Sequence, residues 1–184
     1  MPGLTLLGGT AVMLATAAVL TAMGQPLICT CGYVKPWHGL VLSSETSQHV
    51  SDWYTFSHVI HGMAFYGLLW LFARGWPFGL RLLAAIALEA GWELFENTDA
   101  VINRYRSVTI ALDYFGDSVL NSMADISAMV IGFVLAARLP VRSTIALILA
   151  LEIFVAYFIR DNLMLNILML IYPLEAVRRW QLGA

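Results

Sequence analysis

Acidic and histidine side chains recur at helical spacing inside apolar segments of this sequence. A spacing of three or four residues puts each set on one face of a helix. The sets are His58 and His61; Glu89, Glu93 and Glu96; and Asp117, Asn121 and Asp125. Ionisable groups within membrane spans are costly and usually face a cavity or one another, so they mark a candidate functional site. The candidates for general acid–base catalysis are Glu93, Glu96, Asp117 and Asp125.

The same side chains could hold a metal ion. Imidazole nitrogen and carboxylate oxygen are the usual ligands of catalytic zinc, and they also suit iron or manganese. One divalent cation would balance the buried charges, and its candidate ligands are His58, His61, Glu93 and Asp117. The His-Glu-x-x-His zinc motif is absent, because the two histidines stand at i and i+3. Two alternatives stay open: arginine counter-ions or shared protons could balance the carboxylates, and the histidines could only hydrogen-bond carboxylates of a neighbouring helix.

Basic side chains near the ends of the predicted helices could bind an anion. Guanidinium groups match the oxygen geometry of phosphate and carboxylate. Arg104, Arg106 and Arg160, with Asn121, are therefore candidates to hold the anionic headgroup of a substrate. Pairing of Arg104 and Arg106 with nearby carboxylates is the alternative interpretation.

A second group of reactive side chains lies in the segment after the first apolar run. Cys29 and Cys31 are separated by one residue, and a disulfide across that spacing closes a small, strained ring that would be reducible. The two thiols could instead bind a soft metal together with His38 or His49. Two reduced or loosely paired thiols in a loop are the third interpretation.

The elements that carry these residues are predicted to be membrane spans. Of the 184 residues, 60% are hydrophobic and 12% charged, whereas soluble domains carry about 25% charged residues. The mean hydropathy is +0.76. A net charge of -2 leaves no basic surplus for a nucleic-acid partner. We expect one all-α transmembrane domain over residues 1–184, a helical bundle of about six spans. The predicted spans are residues 4–23, 54–73, 79–97, 117–137, 141–159 and 163–177.

The last predicted span is short and contains Pro173, so it could also enter the membrane and stop partway. With six spans, the arginines in the tight turns and the C-terminal tail fall on one side, which predicts that both termini are cytoplasmic. The outer loops are then residues 24–53 and 98–116, and the site faces the periplasm or the cell exterior. Trp and Tyr prefer the headgroup level, so the loop over 24–53 is predicted to lie over the site as a lid.

Several motifs together resemble a known family. They are Cys29-Thr-Cys-Gly-Tyr, Trp37-His-Gly, Ser57-His-x-x-His-Gly62, Trp92-Glu-x-x-Glu-Asn97, Asp113-Tyr-Phe-Gly-Asp-Ser-Val-Leu-Asn121 and Arg160-Asp-Asn162. The sequence resembles an uncharacterised family of bacterial multi-pass inner-membrane proteins, a domain of unknown function. The resemblance implies a multi-pass location and supplies no activity.

Residues 89–132 are also similar to VanZ-like membrane proteins, which points toward the cell envelope. The matching positions are Glu93, Arg104 or Arg106, Asp117 and Asn121, and Ala124 departs from the glycine usual in that family.

The function predicted from the sequence is a membrane-embedded hydrolase or transferase that acts on an envelope lipid or lipid-linked substrate. A divalent metal ion is one of the open possibilities for its site. A transporter or ion-binding protein is the first alternative, and a structural or assembly factor of the envelope is the second. The expected partner is membrane lipid, with no nucleic acid and no soluble partner implied. The sequence does not define the oligomeric state.

Overall fold

The computed structural model describes residues 2–183, which form eight α-helices and no β-strand. The helices are α1 (Pro2–Ala22), α2 (Thr55–Phe72), α3 (Phe78–Glu96), α4 (Asp99–Val108), α5 (Val119–Arg138), α6 (Val141–Ile159), α7 (Leu163–Ile171) and α8 (Glu175–Leu182). The predicted all-α class is confirmed. Residues 23–54 connect α1 to α2 as an irregular segment, which we call the outer loop.

Membrane association is indicated by three helices of the described chain that are long and apolar enough to span a bilayer. They are Gly3–Ala22, Val119–Arg138 and Val141–Ile159. On α6 the side chains of Ile153 and Tyr157 are 69% and 80% exposed, as suits a lipid-facing surface. Helices α2 and α3 have 18 and 19 residues, which corresponds to about 27–29 Å. They carry the histidines and glutamates of the candidate site and are not among these three helices.

Helices α2 and α5 cross at two glycines, each lying against backbone of the other helix. A Cβ at Gly62 would overlap the carbonyl oxygen of Met129, and a Cβ at Gly132 would overlap that of Val59. Small residues at a crossing let two membrane helices approach closely. One turn before Gly62 is His58, and one turn before Met129 is Asp125, so this crossing brings an imidazole and a carboxylate together.

The apolar core packs next to this crossing, between α3 and α5. Its buried members come from both helices, with partly buried apolar and aromatic side chains of α1 and α2 against them. They are Ala85, Ile86, Ala90, Ile126, Met129 and Phe133. The same face of α3 continues to Glu89 and Glu93, both 0% exposed, so the core fixes the direction in which these two carboxylates point.

One predicted outer segment is folded differently from the expectation. Residues 98–116 contain helix α4, which buries Val101, Ile102, Tyr105 and Val108. The sequence predicts a loop over residues 98–116 because α4 has only ten residues and its exposed face is polar. Hydrophobic spacing over ten residues is a weak signal beside the long apolar runs.

The predicted sixth span is also corrected, because residues 163–177 do not form one helix. Helix α7 has nine residues, or about 13 Å, and ends before Pro173, whose ring disfavours helix at the preceding residue. Helix α8 then returns: Gln181 Nε2 donates to Asp161 at 3.0 Å, and Arg160 donates to the Trp180 carbonyl at 3.2 Å. The end of α8 thus lies beside the start of α7, which agrees with a segment that stops partway.

Because α8 turns back toward the start of α7, residues 163–177 do not provide the sixth crossing on which the predicted position of both termini depends. An even number of crossings is needed to put both ends of a chain on one side. With α7 and α8 at the end of the bundle, the helices available for crossing are α1, α2, α3, α5 and α6. The number of crossings and the side of each terminus stay predictions, as do the inner-membrane location and the outward-facing site.

Candidate functional site

The candidate site is a cavity at one end of the bundle, where α2, α3 and α5 meet the outer loop, α4 and α7. Its volume is about 50 Å³, enough for a few water molecules. Five predicted residues line it, namely His58, His61, Glu96, Asp117 and Asp125. The helical spacing in the sequence therefore predicted side chains that the fold brings to one place.

Both histidines of α2 are held by one buried carboxylate. His58 Nδ1 lies 2.6 Å from Glu89 Oε1, and His61 Nδ1 lies 3.1 Å from the same oxygen. Since a carboxylate only accepts hydrogen bonds, each Nδ1 carries the proton. Each Nε2 is then directed away from Glu89, and the tautomers suit imidazoles that use Nε2 for another partner.

Glu93 is the least satisfied of the buried carboxylates. Its side chain is 0% exposed, and its Oε1 lies 3.5 Å from His58 Nδ1. Within the described part of the chain, neither of its oxygens has a hydrogen-bond donor. A buried polar atom without a partner is costly, and an ionised one more so. Glu93 therefore needs a proton or a cation.

Asp125 completes a compact group with Glu93 and His58. Its Oδ2 lies 3.8 Å from His58 Nε2, and its Oδ1 accepts a hydrogen bond from the Thr55 hydroxyl at 3.1 Å. One potential ligand atom from each of the three residues lies within 4.8 Å of the other two. All three side chains are buried. His58, His61 and Glu89 form a second group by the same criterion.

Asp117 belongs to neither of these two groups and is hydrogen-bonded by Asn97 and Tyr114. Its Oδ2 accepts from Asn97 Nδ2 at 2.9 Å, its Oδ1 accepts from the Tyr114 hydroxyl at 3.0 Å, and its backbone N–H donates to Asn97 Oδ1 at 2.6 Å. The predicted ligand set of His58, His61, Glu93 and Asp117 is thus divided, with Asp125 in the position expected for Asp117. Asp117 still lines the cavity together with Glu96 and Tyr105.

Asn121 and the three predicted anion-binding arginines are engaged elsewhere. Asn121 Nδ2 donates to the His49 carbonyl at 2.9 Å, which fixes the outer loop to α5. Arg104 donates through Nε and Nη2 to the Leu170 carbonyl at 3.0 and 2.9 Å. The guanidinium of Arg106 lies 4.9 Å from the centre of the Phe115 ring, and Arg160 caps α8 as described above.

The arginines therefore do not act as counter-ions inside the cavity. Across residues 2–183, the ion pairs formed by Glu89, Glu93 and Asp125 are all with histidine. Of the sequence alternatives for charge balance, a metal ion and shared protons remain.

The outer loop holds a separate polar cluster around Glu45. That carboxylate accepts from Lys35 Nζ at 2.7 Å, from the Tyr33 hydroxyl at 2.8 Å and from His49 Nε2 at 3.0 Å. The hydrogen bond from Lys35 is the main cause that lowers the pKa of Glu45 to about 2. Burial and the neighbouring ammonium lower the pKa of His38. The Lys35 ammonium already lies among the potential ligand atoms of His38, Glu45 and His49. We therefore interpret this cluster as a set of hydrogen bonds that holds the loop together, and not as a metal site.

The predicted cysteine pair is joined, as a Cys29–Cys31 disulfide. It lies beside His49 and outside the cavity wall. Among the interpretations of these cysteines, a disulfide is the one that the structure supports.

Sequence reasoning did not select several residues that shape the cavity. Glu89 belongs to the spaced glutamates, and that spacing was the signal that it shared their face. Glu89 holds the two histidines from behind the cavity wall, whereas Tyr54, Trp92, Tyr105 and Tyr114 line the cavity itself. Aromatic residues near membrane interfaces are common and carry no specific signal.

Comparisons with known proteins point to one family. A model described as "Protein of unknown function (DUF2585)" matches residues 20–183. A UPF0314 protein of Paracoccus denitrificans (strain Pd 1222) is 58% identical over 170 residues, covering 92% of this chain and 88% of the relative. The UPF0314 protein R03235 of Rhizobium meliloti (strain 1021) is 59% identical over 161 residues, covering 88% and 82%.

A UPF0314 protein of Novosphingobium aromaticivorans is 53% identical over 175 residues, covering 92% of this chain and 88% of the relative. No solved structure matches this chain. The predicted resemblance to a bacterial family of unknown function is confirmed, whereas the VanZ-like similarity over residues 89–132 is not shown by these matches and stays a prediction.

Proposed function

The chain belongs to the DUF2585 family of proteins of unknown function, and from its site we propose that it is a membrane-embedded, metal-dependent enzyme. The proposed reaction is hydrolysis or group transfer on an envelope lipid or lipid-linked substrate. The proposed ligands of one divalent cation are His58, Glu93 and Asp125.

The observation that carries this proposal is the unsatisfied carboxylate of Glu93. The other buried carboxylates nearby have donors: Glu89 has two imidazoles, and Asp117 has Asn97 and Tyr114. Glu93 has no hydrogen-bond donor in the described chain, and it shares its surroundings with an imidazole and a second carboxylate. A divalent cation would balance two carboxylates where one imidazolium cannot.

Glu89 supports the same assignment. Metal-binding histidines commonly donate their other ring N–H to a carboxylate, which fixes the ring and raises its basicity. The His58–Glu89 distance of 2.6 Å provides that arrangement. In this proposal Glu89 positions the ligand and does not bind the metal itself.

The cavity provides room and acid–base groups for chemistry on a small reacting centre. Its volume of about 50 Å³ admits water and one reacting group. A bound divalent cation supplies Lewis acidity or an activated water. Glu96 and Asp117 line the same cavity and are the proposed general acid–base residues.

The lipid substrate is proposed from the position of the cavity. It lies at the end of helices suited to a bilayer, so a headgroup could reach it from the interface. A whole headgroup does not fit in the cavity, and we propose that its anionic part stays outside. The proposed location is the bacterial inner membrane with the cavity facing outward.

The test is lipid turnover by the full-length protein in vesicles made from bacterial envelope lipids. Zinc, manganese or ferrous iron is added separately, and lipids are compared by mass spectrometry before and after incubation. We expect turnover with one of these metals, lost in Glu93→Gln and Asp125→Asn and retained in Glu175→Gln, which changes an exposed residue of α8. Equal turnover by Glu93→Gln, or no turnover with any metal, would contradict the proposal.

The assembly alternative makes a different prediction from the enzyme. A purely structural network needs only correct packing, so Glu93→Gln would then rescue a deletion phenotype as well as the unaltered chain does. An enzyme fails that rescue although the variant reaches the membrane in normal amount.

A further inference from the structure

We propose that the Cys29–Cys31 disulfide is a second reactive site, which oxidises a dithiol by thiol–disulfide exchange. This activity requires neither the metal nor the lipid substrate proposed above. The inference rests on the different exposure of the two sulfur atoms and on the partners that surround them. It gives a role to cysteines that the cavity does not use.

The two cysteines differ in access. Cys29 is 3% exposed, whereas Cys31 is partly exposed. An incoming thiolate can therefore reach the sulfur of Cys31, and Cys29 becomes the leaving group. Exchange of this kind depends on which sulfur is attacked and on how well the other leaves.

The leaving sulfur is placed where a negative charge is stabilised. Cys29 Sγ lies 3.2 Å from the backbone nitrogen of Cys31, whose N–H donates to it. A ring nitrogen of His49 lies within 4.8 Å of both sulfurs. A backbone N–H group that donates to this sulfur favours a thiolate there.

In the reduced form the Cys31 thiol would also have a hydrogen-bond acceptor, the carbonyl oxygen of Tyr33. The sulfur of Cys31 lies 3.4 Å from the carbonyl oxygen of Tyr33. A thiol formed at Cys31 could donate to that oxygen, while Cys29 keeps the N–H of Cys31. Each sulfur of the dithiol therefore has a hydrogen-bond partner in the existing loop.

The surrounding loop is fastened independently of the disulfide. The backbone N–H of Lys35 donates to His49 Nδ1 at 3.3 Å, Val50 N–H donates to the Lys35 carbonyl at 3.1 Å, and Asn121 holds the His49 carbonyl. Opening the disulfide therefore leaves the loop and His49 in place, as a reversible redox site requires.

The reaction balances with a dithiol as the only reductant. One substrate thiolate attacks Cys31 Sγ, the Cys29–Cys31 bond breaks, and Cys29 leaves as a thiolate that takes a proton from water. The second substrate thiolate then attacks the mixed disulfide and displaces Cys31. The substrate dithiol is oxidised to a disulfide with loss of two protons and two electrons, and the two cysteines are reduced to thiols.

The first experiment locates the attacked sulfur in the oxidised, full-length protein in detergent. Glutathione is added under native conditions, the freed thiol is alkylated, and the peptide is sequenced by mass spectrometry. We expect glutathione on Cys31 and the alkyl group on Cys29. Glutathione on Cys29, or reduction only after denaturation, would overturn the proposal.

The second experiment measures single-turnover oxidation of dithiothreitol and of a reduced peptide with two cysteines. We expect Cys29→Ser to abolish the oxidation, whereas His38→Gln, the control in the same loop and outside the Cys29, Cys31 and His49 group, keeps the rate of the unaltered protein. A faster reaction with the peptide identifies a protein dithiol as the substrate, and a faster reaction with dithiothreitol identifies a small molecule. Equal rates for the Cys29→Ser variant and the unaltered protein would overturn the proposal, and the glutathione result tests the site even where that variant fails to fold.

Discussion

Replacing Glu89 by alanine should destabilise the protein strongly, because two imidazoles lose their acceptor at once. Glu89 is 0% exposed and accepts from His58 at 2.6 Å and from His61 at 3.1 Å. Each imidazole that is left without its charged acceptor costs about 1–3 kcal/mol, so about 2–6 kcal/mol is expected for the two. For a chain of this length each kcal/mol corresponds to about 2–4 °C, so the expected fall in Tm is about 4–24 °C.

Glutamine at the same position separates charge from hydrogen bonding. Its carbonyl oxygen can still accept from one imidazole, but its NH₂ group faces the other, and the negative charge is lost. We expect Glu89→Gln to fall between alanine and the unaltered protein, with a loss of about 1–3 kcal/mol.

The assay is thermal unfolding of the purified protein in detergent, followed by tryptophan fluorescence. Glu175→Ala is the control, because Glu175 pairs with Arg179 at 3.1 Å with both side chains more than 60% exposed. Such an exposed pair contributes little, so its Tm should change by no more than about 2 °C. If Glu89→Ala unfolds at the same temperature as this control, Glu89 does not hold the two histidines and the account of the site is refuted.

Two further predictions concern the helix crossing and the outer loop. Gly62→Ala should lower the Tm, because the added Cβ would overlap backbone of α5. Gly67→Ala is the control on the same helix: its Cβ meets nothing within 4 Å, so it should stabilise the helix by up to about 1 kcal/mol. Equal effects of the two substitutions would contradict the tight crossing. The pKa of Glu45 is about 2, below its usual 4.5, so its contribution to loop docking is complete above about pH 4.5 and is lost as the pH falls toward 2. Near-UV circular dichroism should show that loss at higher pH in Lys35→Met, and an unchanged midpoint would show that Lys35 does not hold the carboxylate.

Helical spacing in the sequence predicted which faces carry the site, and it did so because the period of an α-helix is fixed. His58, Glu93 and Asp125 were selected on that ground, and the fold brings them together. The glycines that set the crossing were also visible, but spacing cannot show which backbone a glycine will contact. The approach of Gly62 to α5 therefore needed the structure.

Partner choice between helices was the part that spacing could not predict. Asp117 and Asp125 lie two turns apart on one helix face. Which of them comes close to Glu93 depends on how far α3 is shifted along its axis relative to α5, and the sequence does not contain that shift. Arg104 seemed suited to an anion but binds the carbonyl of Leu170, because α7 ends there with carbonyl groups left to satisfy. For residues 163–177 the sequence left two possibilities, a full span or a helix that stops partway, and the structure shows that α7 ends at Ile171, before Pro173.

The most direct test of the central claim is the metal content of the purified full-length protein after stripping with chelator and reloading with zinc, manganese or iron. The account predicts about one equivalent of metal in the unaltered chain, loss of that metal in Glu93→Gln and Asp125→Asn, and retention in Asp117→Asn, whose carboxylate is held by Asn97 and Tyr114. Metal retained in Glu93→Gln at the level of the unaltered protein, or bound by neither, would contradict the account.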